Sequence, residues 1–258
     1  MTRKDIWDAK TYLQFEDERL RPALDLIARI PHAAPKLVVD LGCGAGNALP
    51  VLAARFLGAR VMGVDGSAAM LAKAAAAGFE TAQADISTWK PEAPVDVIFS
   101  NAALQWLDGH EALFPRLLDC LAPGGVLAVQ MPSMHAAPLR AEQDRIARAG
   151  PWAEVLRRVK SAPAILAPEV YYALLSPRVS ALEMWVTEYI DVLRGEDPVL
   201  RWAMGTSLRP FLDALGAEGS KGFLAAYAAA MRAAYPPEAD GAVLLPFRRL
   251  FLLARKLS

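Results

Sequence analysis

Between Lys36 and Met131, short apolar runs rich in branched residues alternate with longer stretches whose apolar positions recur every three or four residues. The short runs are KLVVDL (36–41), ARVMGVD (59–65), FETAQAD (79–85), VDVIFSN (95–101) and GVLAVQM (125–131), and they predict buried strands. The intervening PVLAARFLG, SAAMLAKAAAAG and HEALFPRLLDCLAPGG have helical spacing, with glycine near their ends. Strands alternating with helices join through right-handed crossovers. The pattern therefore predicts a doubly wound α/β domain with a mostly parallel sheet.

Two more strands are predicted late in the chain, VSALEMWVTEYIDVL (179–193) and FRRLFLLARK (247–256), which brings the sheet to seven. Between them, DPVLRWAMGTSLRPFLDAL and GSKGFLAAYAAAMRAAYP read as helices, and so does the stretch 139–159 after the fifth strand. Helices set between two late strands read as an insertion over the carboxyl edge of the sheet, available to shape a pocket. There is no internal repeat and no linker composition, which predicts a single domain over 1–258.

Composition narrows the partners. Hydrophobic residues make up 54% of 258, enough for one full core. Lys+Arg and Asp+Glu are equal at 28 each, so no net field attracts a polyanion, and nucleic acid is not an expected partner. Cys43 and Cys120 show no metal-ligand spacing and read as small buried hydrophobes in a reducing compartment, with no metal expected. MTRKDIWDAK has no apolar signal core, and no apolar run approaches the roughly 18 residues that span a bilayer. A cytoplasmic protein that engages no membrane is expected; its oligomeric state is not legible.

The candidate chemistry starts at VVDLGCGAGN (38–47), a glycine loop between the first strand and first helix, where open α/β sheets bind ligands. A dinucleotide fingerprint reads GxGxxG, whereas Gly42, Gly44 and Gly46 are followed by Asn47 and preceded by an acid, Asp40. Asp65, in GVDGS at the end of the second strand, suits both hydroxyls of an unphosphorylated ribose. Asp85, in QADISTW, suits an adenine amino group beside the Ile86 N–H. Asp40 would repel a pyrophosphate and pair with a cationic amino acid moiety. Each acid alone also fits a helix cap or a turn, and the loop alone fits tight strand–helix packing. Together they describe a ligand with an ammonium, a ribose and an adenine but no phosphate, such as S-adenosylmethionine.

DLGCGAG, VDGS, ADI, SNAALQW and LAPGGVLAVQMP in this order resemble the motif series of class I S-adenosylmethionine-dependent methyltransferases. That resemblance implies a Rossmann-like seven-stranded sheet whose last strand runs antiparallel. More narrowly, YLQFEDERLRPALDLIARIP, ADISTWKP, NAALQWLDGHEALFPRLL, EVYYALLSP, LRPFL and PFRRLFLLARK resemble bacterial trans-aconitate methyltransferases, a similarity running from Tyr12 to Lys256. It implies methyl transfer from S-adenosylmethionine to a carboxylate oxygen of trans-aconitate, giving the monomethyl ester and S-adenosylhomocysteine. The alternative is another small carboxylic acid, or an acyl-carrier-bound one. Two departures stand out: Ala45 where many relatives have Pro, and SMHAAPLRAEQDR after AVQMP, where relatives are more polar and an acceptor site could be lined.

The resemblance places Gly66, Ser67, Met70 and Asn101 on the cofactor side with Asp40, Gly42, Gly44, Gly46, Asn47, Asp65, Asp85 and Ile86. A carboxylate is already ionised near neutral pH, so no catalytic base is expected and orientation carries the reaction. Gln105 and Trp106 are expected to orient the attacking oxygen through neutral N–H donors. Tyr171 and Tyr172 are expected to wall the acceptor, unless they are core, and Arg209 to clamp a non-reacting carboxylate of the tricarboxylate substrate. His110 reads as a surface or capping histidine. Residues 1–35 form a helical lid with Tyr12, Phe15 and Arg19 over the cofactor, or an ordinary packed helix; 36–131 is the cofactor core, and 132–178 and 194–240 are substrate-side helices.

Three competing readings fit the residues less well. A nucleic-acid N-methyltransferase would carry [DNS]PP[YF] where this chain has SNAALQW. An NAD-dependent dehydrogenase would use the same loop and Asp65, and a non-catalytic cofactor-binding regulator would share the fold.

Overall fold

The computed structural model describes residues 20–159, 164–205 and 207–258. Seven strands form one sheet: β1 (Leu37–Leu41), β2 (Arg60–Asp65), β3 (Glu80–Gln83), β4 (Val95–Asn101), β5 (Leu121–Pro132), β6 (Val179–Leu193) and β7 (Val243–Lys256). Their order is β3-β2-β1-β4-β5-β7-β6. β1 runs parallel to β2 and β4, β3 to β2, and β5 to β4. β7 runs the other way: the Gly124 N–H donates to the Leu257 carbonyl at 3.3 Å and the Ser133 N–H to the Arg248 carbonyl at 2.8 Å, so one strand ascends as the other descends. The same holds against β6, where Ser180 Oγ donates to the Arg255 carbonyl at 3.2 Å and Trp185 stacks on Phe251 at 4.7 Å.

The helices are α1 (Arg21–Arg29), α2 (Leu49–Arg55), α3 (Ala68–Ala76), α4 (His110–Asp119), α5 (Pro138–Ala149), α6 (Ala153–Leu156), α7 (Pro168–Leu175), α8 (Pro198–Met204) and α9 (Arg209–Ala234). None among the described residues is long and apolar enough to cross a membrane. The stretch expected as one helix over 139–159 is two, because Gly150 and Pro151 interrupt it. β5 starts at Leu121, earlier than the sequence pattern suggests, since Lys256 Nζ donates to the Leu121 carbonyl at 2.7 Å and Leu121 pairs with Val95.

The chain divides into two compact units. The first holds residues up to Met131, Leu166–Val186 and Leu250–Ser258; the second holds Pro132–Ile165 and Thr187–Arg249. In the first unit, Val38, Val39, Leu41, Val97, Ile98, Phe99, Leu127 and Val129 are all buried, as strands covered on both faces require. Each such side chain contributes about 1.5–3 kcal/mol of burial free energy. α1 buries Ala23, Leu26 and Ile27, and its last residue, Arg29, lies 4.5 Å above the Trp185 ring and 3.4 Å from Glu183. Tyr12, Phe15 and Arg19, the expected lid side chains, lie outside the described residues. Residues 166–178, expected among the substrate-side helices, belong to this first unit instead. The reason is Tyr171 on α7, which packs against Phe114 of α4 with ring centroids 4.8 Å apart.

The second unit has its own core, in which Ile146, Phe211, Phe223, Tyr227, Met231 and Leu245 are buried together. Trp152 meets Phe223 edge-on at 5.6 Å and donates its indole N–H to the Ile146 carbonyl at 2.8 Å. A kink at Gly216 divides α9, so the pattern read over 197–215 spans α8 and the first part of α9, and the pattern from Gly219 falls on the rest.

Candidate functional site

The chain leaves β1 for β2 on one side and later for β4 on the other, so the ends of β1 and β4 flank a switch point, the position where open α/β sheets bind ligands. Because β1 to β4 are parallel, the segments after them emerge on one edge: the glycine loop 42–48, Asp65–Ser67, Asp85–Ile86 and Asn101–Trp106. All four lie in the first unit.

The glycine loop is folded inward. Gly42 and Cys43 donate their N–H groups to the Val64 carbonyl at 2.7 and 3.1 Å, and Gly46 donates to the Cys43 carbonyl at 2.9 Å. Gly44 donates to Asp65 Oδ2 at 2.9 Å. In a phosphate cradle such N–H groups point at the ligand; here these four are committed inside the protein. At Gly42, with φ +82°, a Cβ would stand 2.2 Å from the Ala103 Cβ, so this glycine lets the loop touch the turn after β4. Gly44, with φ +54°, has nothing within 4 Å of its missing Cβ, so its bare face borders open space.

The groups facing that edge are acceptors. Asp65 takes one N–H on each oxygen, from Gly44 and from Ser67 at 2.8 Å, and an ionised carboxylate keeps about two of its four lone-pair positions for a ligand. Asp40 is buried, and burial first, then the Asp65 charge, raises its pKa to about 8. A neutral acid there becomes a favoured carboxylate as soon as a cation arrives. Asn101 Oδ1 is buried with no hydrogen-bond partner. Asp85 accepts from the Ser87 N–H at 2.8 Å and hydroxyl at 2.7 Å, which holds its pKa low, and it is exposed. The Ile86 carbonyl accepts from Arg116 at 3.0 Å, and the Ile86 side chain abuts Gly42, so the turn after β3 reaches the glycine loop. Ser67 caps α3 by accepting from Met70 N at 3.4 Å; Asn47, Gly66, Ser67 and Met70 are exposed. These acceptors fit a ligand with an ammonium and hydroxyls better than they fit a pyrophosphate.

The residues expected on the acceptor side separate. Gln105 is buried, its Nε2 donating to the Ala102 carbonyl at 2.7 Å and its Oε1 without a partner. The expected free amide donor is thus half spent on holding its own turn. Trp106, next to it in the 3-10 turn Leu104–Trp106, is 47% exposed and open to a ligand. Tyr171 is fully buried, with its hydroxyl 2.6 Å from His110 Nδ1, so it is core and not an acceptor wall; Tyr172 is exposed. His110 is correspondingly buried, not a surface residue, because it bridges Tyr171 to the Leu104 carbonyl at 2.9 Å. Arg209 sits in the second unit, exposed and paired with Asp213 at 3.0 Å. The Asp65–Gly44 bond joins residues 21 apart and leaves no local signal in the sequence.

Known proteins resemble this chain in sequence and in fold. A family model described as a methyltransferase domain matches residues 12–188. The trans-aconitate 2-methyltransferase of Methylobacterium nodulans is 48% identical over 253 residues, 97% of this chain and 98% of that protein. The trans-aconitate 2-methyltransferase of Azoarcus sp. is 47% identical over 252 residues, 96% and 98% of the two chains. Among solved structures, an S-adenosylmethionine-dependent methyltransferase from Mesorhizobium loti shares the fold with TM-score 0.52 at 20% identity, over 93% of this chain and 100% of that one. The YcgJ protein from Bacillus subtilis does so with TM-score 0.59 at 14% identity, over 92% and 99%. The chain belongs to the methyltransferase-domain family and, within it, to the trans-aconitate 2-methyltransferases.

Proposed function

We propose that this chain transfers the methyl group of S-adenosylmethionine to a carboxylate oxygen of trans-aconitate, releasing the monomethyl ester and S-adenosylhomocysteine. The observation that carries this reading is the full-length relationship to trans-aconitate 2-methyltransferases at up to 48% identity. The committed N–H groups of Gly42, Cys43, Gly44 and Gly46 support its cofactor half, since they are not free to cradle a phosphate.

When bound, S-adenosylmethionine supplies an electrophilic methyl on a sulfonium. The residues hold it in parts. Asp40 takes the ammonium, and Asn101 Oδ1 accepts one of its N–H groups. Asp65 takes the ribose hydroxyls with its remaining lone pairs, and Asp85 and the Ile86 N–H take the adenine. Gly42, Gly44, Gly46 and Asn47 shape the loop against it, with Gly66, Ser67 and Met70 beyond the ribose. Exclusion of water favours a step joining an anion to a cation. No side chain moves a proton: the attacking carboxylate is ionised, and alignment supplies up to about 7–11 kcal/mol of the barrier reduction.

On the acceptor side, Trp106 and the second Gln105 N–H orient the attacking oxygen without the charge that would dull it. Tyr172, exposed on α7, walls the acceptor. Arg209 takes one non-reacting carboxylate; freeing it from Asp213 costs little, because an exposed pair is worth about 0–1 kcal/mol. Zero formal net charge argues against a nucleic-acid substrate, and two free cysteines suit the reducing cytoplasm.

The test is a panel of di- and tricarboxylates with labelled cofactor. The highest kcat/KM is expected for trans-aconitate, and a preference for another free acid or an acyl-carrier-bound acid would replace the acceptor while leaving the cofactor assignment intact.

A further inference from the structure

The turn after β3 is held by side chains on both sides. On one, Asp85 Oδ1 accepts from the Ser87 N–H at 2.8 Å and the Ser87 hydroxyl at 2.7 Å, while the Thr88 N–H donates to the Asp85 carbonyl at 3.1 Å. On the other, the carbonyls of Ile86, Ser87 and Trp89 converge on Arg116 of α4. Its Nη2 donates to Ile86 at 3.0 Å and to Ser87 at 2.8 Å, and its Nη1 donates to Trp89. The flat guanidinium fork suits such a cluster, and its charge strengthens each bond.

A trans peptide points its N–H opposite to its C=O. Drawing the Ile86 carbonyl to Arg116 therefore turns the Ser87 N–H onto Asp85, so the two side chains fix one peptide plane from its two ends. Both Ser87 bonds fall on Oδ1, which leaves Oδ2 for a ligand. The Ser87 bonds first, and then the Arg116 charge, lower the Asp85 pKa and keep it an acceptor.

Both ends of this bracket are anchored in the first unit. α4 buries Leu113, Phe114, Leu117 and Leu118 around Arg116, and Trp89 is buried at the end of the turn. The Ile86 side chain lies 3.2 Å from where a Gly42 Cβ would stand, so the placing of this turn also sets its distance from the glycine loop. Asp85, Ser87 and Thr88 are exposed. Water could satisfy the carbonyls of such a turn, so three charge-assisted bonds hold its shape more than the stability of the fold.

We infer that Arg116 is a positioning residue of the cofactor site, fixing Asp85 and the Ile86 N–H where they select an adenine by its amino group. This rests on the adenine reading of Asp85 above. Adenine offers an amino donor beside a ring-nitrogen acceptor, and hypoxanthine reverses both, so neither Asp85 nor the Ile86 N–H finds a partner on it.

The test compares calorimetric binding of S-adenosylhomocysteine and S-inosylhomocysteine to the full chain, with melting temperatures alongside. The variants are Asp85→Ala, Arg116→Met and Arg116→Lys, with Arg178→Met as control, since Arg178 is an exposed arginine of the same unit paired with Asp119. Wild type is expected to prefer the adenine compound by about thirtyfold or more. Arg116→Met should cut that preference about tenfold, and Arg116→Lys about threefold, because one ammonium cannot span three carbonyls. The control should keep the wild-type ratio. A structural role alone would lower the melting temperature and weaken both ligands equally. A ratio for Arg116→Met within about twofold of wild type therefore overturns the inference; should that variant fail to fold, Arg116→Lys is judged by the same limit. Loss of the preference in Asp85→Ala but not in the Arg116 variants keeps the adenine reading and overturns the role of Arg116. A wild-type ratio in Asp85→Ala overturns the adenine reading and the inference with it.

Discussion

The hydroxyl of Tyr171 lies 2.6 Å from Nδ1 of His110, and the ring's other nitrogen settles which way that bond runs. Nε2 is 2.9 Å from the Leu104 carbonyl, which can only accept, so Nε2 carries the proton and Nδ1 accepts from Tyr171. Tyr171 in turn accepts from the Leu166 N–H at 3.3 Å, and burial pushes its pKa upward, keeping it a donor. A chain of three hydrogen bonds thus runs from the start of α7 to the 3-10 turn that holds Gln105 and Trp106. Replacing Tyr171 by Phe leaves His110 Nδ1 buried without a donor, and a loss of about 1–3 kcal/mol is expected. Urea unfolding checks it: the midpoint should fall with an unchanged slope, and an unmoved midpoint would remove the bond from the account.

Two glycines in the same loop should respond differently to alanine. At Gly42 the new methyl group meets the Ala103 Cβ at 2.2 Å, so Gly42→Ala should lower both melting temperature and cofactor affinity. At Gly44 the space is open, and the cost to the fold is confined to about 1–2 kcal/mol for the left-handed backbone. Gly44→Ala should therefore remain folded while losing cofactor affinity, because its methyl fills the face where the ligand lies. Parallel melting and calorimetry distinguish the two; equal loss of stability in both would contradict the assignment of the open face.

Asp65 joins the loop to the end of β2 through Gly44 and Ser67. Asp65→Ala should weaken S-adenosylmethionine binding by about ten- to a hundredfold, the scale of one or two hydrogen bonds to a charged group. Unchanged affinity in calorimetry would take Asp65 out of the site.

Much of this was legible beforehand, and the rest has a physical reason for being hidden. The strands Leu37–Leu41, Val95–Asn101 and Leu121–Pro132 follow the apolar pattern because both faces of a covered sheet need apolar side chains, whereas the edge strand Val179–Leu193 mixes half-buried and exposed positions. The three acids at strand ends are visible because a strand end is a local feature. The burial of His110 and Tyr171 is hidden in the sequence because their bond joins residues 61 apart, and only the packing of α7 on α4 brings them together. The burial of Arg140 and Gln143 is hidden too: RAEQDR reads as a solvated face, because helical periodicity registers apolar positions only.

Asp40 gives a pH prediction. Its pKa of about 8 in the folded protein exceeds the ordinary 3.8, so the native state holds a proton that the unfolded chain releases. The stability it contributes is full below about pH 4 and is lost as pH rises through about 8. Asp40→Asn, always neutral, should gain on wild type in melting temperature across that window. An ammonium beside Asp40 favours the ionised form, so cofactor binding at pH 7 should release up to about one proton. Calorimetry in two buffers of different ionisation enthalpy reads this directly, and equal heats would mean that no cation reaches Asp40.

The central claim is that a carboxylate of trans-aconitate receives the methyl group. Purified protein supplied with methyl-labelled S-adenosylmethionine and trans-aconitate should yield a labelled monomethyl ester, matched mole for mole by S-adenosylhomocysteine and cleaved by mild alkali to labelled methanol. Label absent from trans-aconitate, or held in an alkali-stable product, would contradict the account.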